Sequence, residues 1–205
     1  GVTNWTQINI PSIALVFIDE GNGQGIIINE RDSNNYGNIG NNAVDLSHST
    51  IPSTFKGASG ESSFAVGKST RASGDNATTM GYHTAASGSR STAMGYWTVA
   101  SGLSSTATGS STEASGSFST AMGSSTTASG IASTAMGLST SASGDYSTAM
   151  GSNTVASGSG STAMGIVSVA PSFGETVLGC YNTDYTPAST TAWNPSDRLF
   201  VVGNG

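Results

Sequence analysis

Glycine returns at positions 67, 81, 95, 109, 123, 137, 151, 165 and 179, a constant step, and a second series runs 60, 74, 88, 102, 116, 130, 144 and 158 with the same step. Two series locked in one period define a 14-residue repeat, S-T-A-M-G-x-x-T-x-A-S-G-x-x. All six methionines (Met80, Met94, Met122, Met136, Met150 and Met164) directly precede a glycine of the first series, and Val66, Thr108 and Leu178 take the remaining slots. Such a unit is too short for a helix-turn-helix, and each glycine in a helix interior costs about 1 kcal/mol. Two short extended segments and two tight turns fit the length, and such units stack as a solenoid whose backbones pair coil to coil. The fold class predicted is all-β, a parallel roll of 14-residue coils.

Alternation along the strands groups Thr92 with Met94 and Ser91 with Ala93, then Thr98 with Ala100 and Val99 with Ser101. Gly67, Gly81, Gly95, Gly109, Gly123, Gly137, Gly151, Gly165 and Gly179 are read as structural turn glycines. The glycines of both series supply positive φ at the corners. The slots after each glycine accept Lys68, Tyr82 with His83, Tyr96 with Trp97, Arg90, Phe118 and Tyr146. Such variety of size and charge marks outward corners. The Ala and Met positions vary least, so the six methionines are assigned to the core. One methionine with methyl-sized Ala and Thr per coil is a thin core against the entropy of ordering the whole coil. Association of small-residue faces around a three-fold axis is the expected remedy.

Three segments result: 1–57 as an N-terminal β cap or docking segment, 58–180 as the roll, and 181–205 as a C-terminal cap or connector. "SIALVFI" before the repeat and "RLFVV" after it are the apolar runs expected to cover the two ends, with Leu199, Phe200 and Val201 folded over the last coil.

Composition narrows the function. Nine per cent of residues are charged, the net charge is −6, and six Lys and Arg leave no basic stripe for a phosphate backbone, so nucleic acid is not expected as a partner. The lone Cys180 excludes an intrachain disulfide framework. No run of 18 apolar residues offers a transmembrane helix. There is no G-x-S-x-G elbow, P-loop or Cys–His arrangement, so no catalytic residue, cofactor or metal site is assigned, and the protein is not expected to be an enzyme. Asp32, Asn34 and Gly37 sit at calcium-loop spacing, but Tyr36 and Ala43 occupy positions that need ligands, and we read ordinary turns. His48 and His83 are read as surface or turn residues. The threonine column from Thr70 to Thr154 would suit an ice-binding ladder only if it faced water, and we read it as coil filling. Asn4-Trp5-Thr6 and Asn76-Ala77-Thr78 are glycosylation sequons. The best candidate for an adhesive patch is Tyr82, Tyr96 and Trp97.

"STAMGYWTVASG", "STAMGSSTTASG" and "STAMGSNTVASG" closely resemble the head repeats of trimeric autotransporter adhesins, the YadA-like head with its S-V-A-I-G-x-x-S-x-A-x-G unit. Here Thr replaces the usual Val and Met the usual Ile. The resemblance spans about residues 58–180. It implies a left-handed parallel β-roll, a homotrimer, an extracellular or cell-surface location and adhesion to a host or surface receptor. The flanks look like modules of long bacterial surface and fibre-like proteins, and phage tail fibres borrow the same roll. The alternative is therefore a structural protomer of an extracellular filament, joined end to end, or a phage tail-fibre shaft.

With methionine inside and corners outside, Met122→Asp is expected to bury an unpaired charge at a cost of several kcal/mol. Ser117→Asp should stay within about 0.5 kcal/mol of the parent in thermal melts.

Overall fold

The structure is a computed structural model that describes residues 15–21, 23–28 and 32–205. Asn4 and residues 12–14 of the N-terminal apolar run lie outside those residues. The chain winds as an all-β parallel solenoid. One five-residue strand per coil builds a 13-stranded sheet, and a two-residue strand per coil builds a second sheet of nine strands. Pairing is in register at the repeat: Ala107 lies against Ala93 and Ala121, and Gly109 against Gly95 and Gly123.

The interior is smaller than the sequence suggests. Ala93, Ala107, Ala121, Ala135, Ala149 and Ala163 from the long strands are fully buried, as are Ala100, Ala114, Ala128, Ala142 and Ala156 from the short ones. Ser91, Ser105, Ser119 and Ser133 fill one corner, and Thr84, Thr98, Thr112 and Thr126 another. The grouping by alternation holds in both strands, but the choice of inner face in the long strand does not. Met80, Met94 and Met122 point outward and are 42%, 36% and 43% exposed, and Met136, Met150 and Met164 are half-buried on the same outer face. The assignment of the six methionines to the interior of the coil is therefore corrected. A coil narrow enough for in-register alanines has no room for a thioether chain, so the column with the smallest side chain turns inward.

The two glycine series share one demand and differ in a second. First-series glycines close the long strands with φ between +104° and +126°, a region that L side chains avoid. Second-series glycines are not among the positive-φ residues. Close approach constrains both series: a Cβ on Gly102 would overlap the carbonyl oxygen of Gly116 in the next coil, and one on Gly95 that of Gly109. Left-handed backbone at the corners falls instead on non-glycine residues, among them Ser104 (φ 53°), Phe118 (φ 60°) and the β-branched Val167 (φ 51°). The attribution of positive φ to both glycine series is corrected accordingly.

The sheet also extends past the regular period at both ends. Val44–His48 pairs parallel with Phe64–Lys68, a step longer than the repeat, and Gln24–Ile28 pairs parallel with Val44–His48. Leu15–Asp19 folds back antiparallel on Gln24–Ile28 and forms the edge of the sheet, with Val16 and Ile18 against the core. At the other end, Phe200–Asn204 pairs parallel with Thr176–Cys180 after a longer step still. Residues 181–199 leave the roll as an excursion, but 200–204 rejoin it as a strand. The strand caps the last coil by pairing along its edge rather than by crossing the open end of the roll. Val201 packs inward, while Phe200 and Val202 are exposed. Glu175, fully buried at this end, accepts hydrogen bonds from Ser172 N (3.1 Å) and Oγ (2.9 Å) and pairs with Arg198 Nε at 3.2 Å.

The inner column now carries the fold test. Ala121→Asp should abolish the cooperative thermal transition, because a buried unpaired carboxylate costs several kcal/mol. Met122→Asp should leave the strand signal of the individual coil intact by circular dichroism. The reverse pattern would restore the methionine core.

Candidate functional site

Each G-x-x-T corner places its first variable residue at the end of a long strand and its second in left-handed backbone, as at His83 (φ 53°) and Trp97 (φ 54°). Register then aligns the same slot of successive coils: Lys68 beside Tyr82, and Tyr82 beside Tyr96. The Trp97 amide donates to the Tyr82 carbonyl oxygen at 2.9 Å, fixing one corner on the other. Coil spacing of about 4.8 Å is close to ring-stacking distance, and the side chains use it. Tyr82 and Tyr96 stack with centroids 5.4 Å apart and planes 7° from parallel. His83 and Trp97 stack at 4.5 Å and 6°. Edge contacts tie the columns together, Tyr82 to His83 and Tyr96 to Trp97. Lys68 Nζ lies 5.6 Å from the Tyr82 ring centroid, a cation–π continuation of the first column.

A third column runs beside these on the short strands: Arg71, Ala85, Val99 and Glu113. Phe55, from the non-repeat segment, faces the Arg71 guanidinium at 5.9 Å. Between Phe55 and Trp97 lies a groove of about 390 Å³, lined also by Lys56, Arg71, His83 and Val99. Lys56 Nζ donates to Ser49 Oγ at 3.1 Å and Ser69 Oγ at 3.5 Å. Phe55 and Trp97 are more than half exposed.

The structure thus brings Tyr82, Tyr96 and Trp97 together, and adds Phe55, Lys56, Lys68, Arg71, His83 and Val99. Most of the added residues were legible: residues one repeat apart are neighbours, which joins 69, 83 and 97, and also 71, 85 and 99. Phe55 was not, because its segment lies outside the period. Other sequence candidates have structural employment. The Asp32 carboxylate caps a short 3-10 turn, accepting from the Asn34 amide and side chain at 3.0 Å each. His48 is exposed at the end of its strand. The column from Thr70 to Thr154 is buried, so it cannot present a ladder to ice. Cys180 is a free, half-buried thiol, and Asn76 is exposed at a corner. Among the described residues, no group of His, Cys, Asp or Glu has the spacing to hold a metal ion, and no helix is long and apolar enough to cross a membrane.

The YadA head domain repeat matches residues 58–84, 86–112, 114–140 and 142–167, just over half of the chain. The chain belongs to the YadA head repeat family. No curated protein matches it. YadA heads are structural adhesin modules rather than enzymes. The aromatic corner sits on this YadA-type roll within the first matched segments.

Stacking geometry sets a measurable coupling. A double-mutant cycle with Tyr82→Ala and Tyr96→Ala should give an interaction energy of about 0.5–1.5 kcal/mol in urea melts. A value near zero would mean that the rings do not stack in solution.

Proposed function

We propose that the chain is a non-enzymatic extracellular fibre segment for surface display and adhesion, built as a homotrimer. One observation carries the assembly. The outer face of the long strands repeats Thr and Met from Thr78 to Met164 without a charge, and its methionines are exposed or half-buried. A row of methionines in water, interrupted only at Thr108, is what an interface between like chains removes. YadA heads form trimers as a family, and this face supplies the apolar area that the alanine-sized interior of each coil lacks. The methionines are then core residues of the assembly, although they are surface residues of the chain. Adhesion is assigned to the aromatic corner, where the rings of successive coils stack into one patch, whereas Phe118 and Tyr146 are exposed on coils of their own.

A second reading, a filament protomer, is favoured by one further observation. Both edge strands of the long sheet carry exposed apolar side chains, Leu15 and Phe17 on one and Phe200 and Val202 on the other. Such edges suit end-to-end contact.

Sedimentation equilibrium should return about three times the 20.4 kDa chain mass. Met122→Asp with Met136→Asp should shift the species to monomer while the β signal persists. A wild-type monomer would overturn the trimer, and species growing beyond the trimer with concentration would favour the filament.

A further inference from the structure

We propose that the groove between Phe55 and Trp97 binds an acidic saccharide, a pyranose chain carrying free carboxylates. This deepens the adhesive reading and rests on it for its biological role, but the groove is formed within one chain.

Charge is the first argument. The protein has six Lys and Arg and a net charge of −6, yet Lys56, Lys68 and Arg71 gather at this corner. Arg198, a fourth cation, is paired with Glu175 at the far end of the roll. The Arg71 guanidinium lines the groove and faces the Phe55 ring at 5.9 Å, where it is a charged donor without a carboxylate beside it on its own column until Glu113. A planar guanidinium offers a carboxylate two parallel hydrogen bonds.

Shape is the second. The groove has the volume of a small-ligand site. Aromatic rings line both sides, Phe55 on one and the stacked His83 and Trp97 on the other. Flat, rigid rings beside polar donors match the two characters of a pyranose, an apolar C–H face and an equatorial rim of hydroxyls. Val99 extends the apolar wall, and Glu113, the next residue of that column, sets a repulsive limit for an anionic chain. A nucleic acid is the poorer fit. It needs cations along a backbone track, whereas the column beyond Trp97 carries serines at 111 and 125.

The groove opens beside the short strands, on a different face from the Thr/Met row, so trimer formation and ligand binding can be separated by measurement. Polygalacturonate oligomers, their fully methyl-esterified counterparts and oligo-dT would be titrated into the isotopically labelled full chain. Affinity is read by calorimetry and the Trp97 indole resonance by NMR. The free acid should bind and shift the Trp97 indole, and esterification should weaken binding at least about tenfold. Arg71→Gln and Trp97→Ala should each do the same with the β signal by circular dichroism retained, and Glu113→Gln should not weaken it. Equal binding of acid and ester, tighter binding of oligo-dT, binding that survives Arg71→Gln and Trp97→Ala, or no binding of the acid would each overturn the assignment. The Trp97 indole readout needs no variant, so a misfolded mutant does not protect the proposal. Failure of binding by a chain that sediments as a trimer would remove the saccharide and leave the assembly standing. Binding by a chain that sediments as a monomer would do the reverse.

Discussion

Everything in this protein depends on one coil lying directly on the next in register. Backbone hydrogen bonds between coils are strong, directional and repeated, for example Val99 N–H to the Thr112 carbonyl at 2.9 Å and Thr106 N–H to the Ser119 carbonyl at 2.9 Å. They require the backbones to approach to strand spacing at the corners as well as along the strands. At the second-series corners that approach excludes even a methyl group, which is why glycine recurs there until the stacking changes. Ser172 shows the rule by exception. It takes the next second-series position after Gly158, just before the chain makes its long excursion. A side chain fits there, and its Oγ reaches the Arg198 carbonyl oxygen at 2.9 Å.

Register also converts a one-dimensional sequence into columns with distinct chemistry. The alanine column is inside, a Thr/Met pair of columns lies on one outer face, and variable columns lie at the corners. An interior of alanine, serine and threonine buries little apolar area per coil, and hydrophobic stabilisation scales with area. Stability must then come from the density of backbone pairing and from burial of the outer apolar columns by other chains. Specific recognition falls to the corners, because a corner side chain lies outside the coil and can change without disturbing the buried alanine column. Tyr82, His83, Tyr96 and Trp97 exploit that freedom over two successive coils, and Lys68 and Arg71 do so in the coil before.

The sequence by itself determined the solenoid, its period and the turn glycines, since only a stacked fold gives glycine a reason to return at so strict an interval. It also determined which residues would be neighbours in the aromatic corner. It did not determine which side of the long strand faces inward. A period-two pattern separates Thr92 and Met94 from Ala93 but is silent about the choice, which is made by the width of the closed coil. Nor did the period reach the end coils. Gly40 stands over Gly60 and Gly179 over Gly203 by the same close approach, but the longer steps at both ends break the count while leaving the pairing intact. Tertiary structure alone brought Phe55 across to Arg71 and Arg198 to the buried Glu175, because contacts between a repeat and an irregular segment have no periodicity to betray them.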